Sequence, residues 1–176
     1  MKLWSFQSLP VVARLEKRGM IRGDWDFISG DKWKLAYCWM MQEMEKRGIA
    51  CNGFAPIWAW HSCEYYGRGP DMGTAIALLS EYEREAGIKI IEFECPPELV
   101  LLSRYGPWND VFYQFIDGKE DVSLSPREYR KLFRIIHKGQ QEYQATLPYL
   151  KLEWVKDIRD LPFVSLEEEY DWATLV

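Results

Sequence analysis

The sequence predicts an α+β domain whose mixed, mostly antiparallel sheet is flanked by helices. Two observations carry that expectation. Strand-like and helix-like stretches follow one another irregularly, as strand, helix, helix, strand, helix, strand, strand, helix, strand, strand. That order departs from the strict alternation of a doubly wound parallel sheet. The length of 176 residues, 48% hydrophobic and 28% charged, fits one globular domain over 1–176 that buries a sizeable core without staples.

The elements follow from local chemistry. Leu3 to Gln7 reads as a short strand. Ser8 is placed to cap a helix, Pro10 suits its first turn, and Gly19 stops it. Asp31 is read as the cap of a second helix that ends before Gly48, with Trp33, Tyr37, Met40 and Met44 on one apolar stripe. Phe54 to Trp60 reads as a strand, with Pro56 at an edge or at its start. A turn at Pro70 to Gly73 leads into a third helix through Ala86, stopped by Gly87. Ile88 to Cys95 is a strand with Ile91, Phe93 and Cys95 on one face and Glu92 and Glu94 on the other. Pro96-Pro97 breaks it, and Val100 to Ser103 resumes as strand. Gly106-Pro107 places a loop over Tyr105 to Trp108, followed by one or two helical turns to Phe115. Ser125-Pro126-Arg127-Glu128 is a capping box opening a helix to about His137. Tyr143 to Leu147 and Leu152 to Val155 close the chain as strands.

Composition narrows the function classes. No run of 18 apolar residues offers a membrane span, and Met1 to Gln7 lacks the apolar stretch of a secretory signal, so a cytoplasmic protein is expected. The four cysteines, Cys38, Cys51, Cys63 and Cys95, fall in no paired spacing, which suits reduced thiols. A formal net charge of -5 disfavours a general nucleic-acid binder. Part of that charge lies in Glu167, Glu168, Glu169 and Asp171, read as a solvated tail.

Motifs are weak. Cys51, His61 and Cys63 lack the paired spacing of a zinc site, so no metal is expected. Gly67 to Gly73 is glycine-rich without the Lys-Ser/Thr of a phosphate loop, although Arg68 within it could meet a phosphate. Glu92 and Glu94, about 7 Å apart along a strand, mark either paired carboxylates or a wet face. The aromatic content is unusual: nine Trp, ten Tyr and eight Phe. Trp4 with Phe6, and Trp58 with Trp60, form two aromatic strand faces that either fill a core or sandwich a flat ring.

Several segments, taken in order, resemble the bacterial domain of unknown function 3841. They are Leu3-Trp4-Ser5-x-Gln7, Ala36-Tyr37-x-Trp39-Met40, Pro56-Ile57-Trp58-Ala59-Trp60, Val100-Leu101-Leu102-Ser103 with Trp108, and Gln144-Ala145-Thr146 with Leu152-x-Trp154-Val155. Arg104 departs from the acidic residue expected after Leu-Leu-Ser. More distantly, the layout resembles the ADP-ribosyltransferase fold. Gln144-Ala145-Thr146 is similar to the Gln-Ala-Glu of members that modify nucleic acids, with Thr146 where the catalytic Glu stands, and Ser5 or Gln7 where a His or Arg stands. That resemblance implies NAD as substrate and a protein or nucleic-acid target. Gln7 and Thr146 would be at the reacting centre. Trp4, Ser5, Tyr37, Trp58 and Trp60 would line the cofactor pocket, and Arg68 or Arg104 would meet phosphate. A hydroxyl at Thr146 does not supply the charge stabilisation of a carboxylate. The alternative is a non-enzymatic interaction or inhibitory protein on the same scaffold.

Overall fold

The computed structural model describes residues 1–161; Glu167, Glu168, Glu169 and Asp171 lie outside the described residues. A six-stranded sheet is formed by β1 (Lys2–Ser8), β3 (Ile57–Ser62), β4 (Ile88–Glu94), β5 (Leu101–Arg104), β6 (Tyr143–Leu147) and β8 (Val155–Asp160), in the order β5-β6-β3-β1-β4-β8. Each neighbouring pair is antiparallel. β2 (Met20–Ile21) and β7 (Leu150–Lys151) make a separate two-stranded ribbon.

Strand alternation sends the sheet's side chains to two cores. On one face, Leu3, Ala59, Ile91, Phe93, Ala145 and Leu147 pack against Val12 and Leu15 of α1 (Leu9–Arg18) and against Ile21 and Leu150 of the ribbon. On the other face, α2 (Asp31–Glu45), α5 (Tyr105–Ile116) and α6 (Pro126–Phe133) cover the β3-β6-β5 half through Met40, Met44, Trp108, Phe115 and Leu132. Ala75 of α3 (Met72–Leu78) packs beside Trp4 and Ile90 on the β1-β4 half of that face.

Most elements stand where the local patterns place them, and the departures have physical causes. Ser8 precedes α1, but its side chain makes no capping bond; Gly19, at φ 71°, closes the helix by donating its N–H to the Leu15 carbonyl at 2.8 Å. The cap position of α2 is Gly30, with Asp31 as the first helical residue. The third helix is two, because Ser80 starts a new capping box with Glu83 and opens α4 (Glu81–Glu85). The Gly106-Pro107 pair does not make a loop. Both residues sit in the first turn of α5, where amide N–H groups have no intrahelical acceptor and proline costs little. The Ser125–Glu128 box is present, but α6 ends at Phe133 rather than near His137. Leu152 to Trp154 is a 3-10 turn, and the strand begins at Val155. Among the described residues, no helix is long and apolar enough to cross a membrane.

One buried charge ties the helical layer together. The Glu43 side chain, 3% exposed, accepts from Lys46 at 2.6 Å and Arg47 at 2.9 Å, and from the Tyr129 hydroxyl of α6 at 2.8 Å. Burial pushes its carboxyl up, but the hydrogen bonds from Lys46, Arg47 and Tyr129 outweigh it and hold the group below the usual carboxylate range. A depressed folded value means stability that is present above the unfolded value, about 4.3, and is lost as pH falls through the folded one. Glu43→Gln is therefore expected to cost about 1–3 kcal/mol at neutral pH and to flatten the acid limb of the stability curve. Urea denaturation across the acid range checks both; an unchanged acid limb in the variant would assign the pH dependence elsewhere.

Candidate functional site

The central strand β1 is bonded unequally. It pairs with β4 over seven positions, from Lys2 opposite Glu94 to Ser8 opposite Ile88, but with β3 at Trp4 opposite Trp60 alone. Beyond that point side chains replace the ladder. Gln7 Nε2 donates to Ser5 Oγ at 2.7 Å, and Ser5 Oγ donates to the Trp58 carbonyl at 2.9 Å. Pro56, just before β3, has no N–H to offer β1. The seam therefore parts near the Gln7 end of β1.

A cleft of about 270 Å³ occupies this parting. Its wall takes Phe6, Trp58 and Tyr37 from one face of the sheet and Gln7, Val11 and Ile57 from the other, so it reaches through the seam. Arg14 of α1 and Arg22, just after β2, also line it. A wider cleft of about 650 Å³ shares Arg14, Ile21, Arg22, Gly23 and Asp24 with it and adds Arg18, Trp25 and Phe54. The two arginines thus stand at the waist of a groove with aromatic rings at both ends.

Their electrostatics differ. Arg14 faces Asp24 at 3.9 Å and lies 5.4 Å from the Phe27 ring centre. Arg22 packs on Phe54 at 5.0 Å and Tyr149 at 5.2 Å. Among the described residues it forms no ion pair, and its Nη1 is buried without a hydrogen-bond partner. An unpaired guanidinium N–H held against rings lacks an acceptor oxygen. Tyr37, whose ring centre lies 5.4 Å from that of Trp58, has its phenol pushed up to about 12 by burial. It is a neutral ring at physiological pH.

Tyr37 and Trp58 also line a third cavity, of about 420 Å³, on the α2–α5 side, together with Trp33, Tyr105, Trp108 and Gln144.

A family model, Domain of unknown function (DUF3841), matches residues 2–124. The chain belongs to this family. No curated protein and no solved structure matches it. The stretch of this DUF3841 domain that the model matches holds Gln7, Arg14, Arg22, Tyr37 and Trp58; Gln144, Thr146 and the closing Leu152-x-Trp154-Val155 lie beyond it.

The expected site residues divide. In the DUF3841 domain Gln7, Tyr37 and Trp58 meet at the seam cleft, with Ser5 behind them. Trp4 is enclosed: its Nε1 donates to Glu92 at 2.9 Å, and a Cβ on Gly69 would come within 2.6 Å of its ring. Trp60 is buried edge-on to Tyr105 at 5.1 Å. Thr146 is fully buried, its hydroxyl 3.4 Å from the Leu101 carbonyl. Arg68 is held by Glu64 at 2.5 Å and Asp71 at 3.2 Å, and Arg104 lines a separate hollow with Glu142. Neither of these arginines reaches the seam. Glu92 and Glu94 are taken by Lys2 at 2.7 Å and Lys156 at 3.3 Å, each in its own ion pair. Burial pushes the thiols of Cys51 and Cys95 up to about 11 and that of Cys63 up to about 12, so none is a thiolate at neutral pH. Among the described residues no three His, Cys, Asp or Glu gather to hold a metal.

Arg14 and Arg22 are the groups that motif reading passed over. Their only sequence signal is the spacing of Arg14, Arg18 and Arg22 across the Gly19 helix stop. Gly23 fixes the turn after Arg22, because it bridges to Ala55 and a Cβ there would strike the Ala55 carbonyl oxygen. Gly23→Ala is expected to cost about 1–3 kcal/mol, an overpacking penalty against backbone. Chemical denaturation checks this, with Gly19→Ala, which meets no neighbour but is strained at φ 71°, as the comparison.

Proposed function

We propose that this domain binds a nucleotide of the NAD or ADP-ribose class in the groove at the β1–β3 seam. The observation that carries the reading is the buried, unpaired Arg22 nitrogen in a cleft shared with Arg14, Gln7, Tyr37 and Trp58. The phosphates lie against Arg14 and Arg22. A ring packs on Tyr37 and Trp58, and Gln7 in the same lining is the neutral partner for a ribose or amide.

The reading extends to an ADP-ribosyltransferase-like layout acting on a protein or nucleic-acid target. Thr146 is turned to Leu101 and lines none of these clefts, so transfer chemistry here draws on another group. Asp24 lines both arginine clefts, 3.9 Å from Arg14, and it is the carboxylate we assign to a cationic transition state. A second reading, a non-enzymatic interaction protein, is favoured by the exposed rings at the groove and beside it: Phe27 at 70%, Phe54 at 45% and Trp33 at 47%.

Thermal melting with NAD, ADP-ribose and ATP at millimolar concentration separates the two. A ligand at a hundred times its Kd adds about 2.7 kcal/mol to the folded state and raises the midpoint. A rise with NAD or ADP-ribose that Arg22→Ala reduces at least tenfold in affinity supports the nucleotide site. No rise with any of the three moves the assignment to the interaction protein. NAD cleavage by the wild-type chain that Asp24→Asn removes and Thr146→Ala leaves intact is the outcome expected if transfer occurs.

A further inference from the structure

Four buried side-chain polar atoms among the described residues have no hydrogen-bond partner: Arg22 Nη1, Trp58 Nε1, Ser103 Oγ and Gln144 Oε1. The last three belong together. Gln144 on β6 stands opposite Trp60 on β3 and opposite Ser103 on β5, and Trp58 is two residues from Trp60 on the same face. An indole donor, an amide acceptor and a hydroxyl that both donates and accepts are thus gathered on three adjacent strands. Native proteins leave few such atoms unpaired, because each forfeits the hydrogen bonds it had with water. Three on one patch of sheet face form a cluster that calls for a partner.

The cavity lined by two of these residues, with Ser103 buried beside Gln144, defines that partner. Trp58 and Gln144 are part of its lining, and its volume of about 420 Å³ suits a small ring. Trp33, Tyr105, Trp108 and Phe112 supply aromatic walls. No Asp, Glu, Lys, Arg or His is among its lining residues, so a charged ligand would be desolvated without compensation. We infer that this cavity is a second binding site, for a neutral planar ring bearing an amide or lactam edge. The amide carbonyl accepts from Trp58 Nε1, the amide N–H donates to Gln144 Oε1, and Ser103 completes whichever bond the ring leaves open. The three atoms are closed from solvent, so the ligand reaches them by turning a lining side chain. Tyr105, half-buried and edge-on to Trp60 at 5.1 Å, is the ring that follows Ser103 in the chain. This site shares Tyr37 and Trp58 with the arginine groove but uses none of its charges, so a substitution at Arg22 tells the two apart.

Benzamide and benzoate test it, since they share a ring and differ in the amide's NH2 donors and one charge. Titration is followed by tryptophan fluorescence, with Trp33, Trp58 and Trp108 all in the wall, and by melting temperature. Benzamide is expected to bind at millimolar concentration or below, with benzoate at least tenfold weaker. Gln144→Leu should weaken benzamide at least tenfold, and Arg22→Ala should leave it unchanged. If Gln144→Leu does not fold, Ser103→Ala is read in its place; removing an unpaired buried hydroxyl leaves the unliganded protein as stable or more so while weakening benzamide. No benzamide binding, equal binding of benzoate, or undiminished binding in a folded Gln144→Leu or Ser103→Ala chain overturns the inference.

Discussion

The single register pair between Trp4 and Trp60 is the constraint on which the rest of the molecule turns. β1 is the central strand, laddered along its length to β4, so it cannot move to complete its pairing with β3. Backbone groups on a buried strand must still be paired. Here the Trp58 carbonyl takes the Ser5 hydroxyl, and Ser5 in turn takes the Gln7 amide. Two side chains hold the sheet together where the backbone does not, and the space left between the strands is the cleft. A fully laddered seam would leave no room for it.

The parted seam also explains why the tryptophans serve two purposes. Trp4 and Trp60 lie at the paired position and are sealed, one under Gly69 and the other against Tyr105. Trp58 lies past it and packs between Tyr37, at 5.4 Å, and Trp108, at 5.0 Å, with its indole N–H unmatched. It belongs to the core by area and to the cavities by chemistry. Tyr37 reaches the same junction from α2, while Met40 and Met44, next along that helix, are fully buried. The helix therefore anchors with its second half and presents Tyr37, in its first half, to the cleft.

Charge follows the same division between local and distant partners. Arg68 sits in a glycine-rich loop, and its partners Glu64 and Asp71 are four and three residues away. Such a neutralised cation has little left for a phosphate. Arg22 meets Phe54 and Tyr149, both remote in sequence, and among the described residues it meets rings rather than carboxylates. An arginine stacked on rings keeps its donors available in the plane of the guanidinium, which is what an anion needs.

By itself the sequence determined what neighbouring residues decide among themselves: the Gly19 stop, the Ser125–Glu128 box, the alternation that buries Ile91 and Phe93, and the two aromatic strand faces. These rest on backbone geometry and period, which act over a few residues. It offered Gln7, Tyr37 and Trp58 as candidates for a site, and the fold brings them to one cleft. Only the tertiary structure decided that Trp4 opposes Trp60 and the strands then part, that Thr146 is turned inward, and that Arg14 and Arg22, rather than Arg68 and Arg104, reach the cleft. Each of those facts depends on which strands become neighbours, and strand neighbours here are joined across long stretches of chain. No local propensity encodes whether a side chain's counter-charge is near in space, so the unpaired arginine emerged from the fold alone.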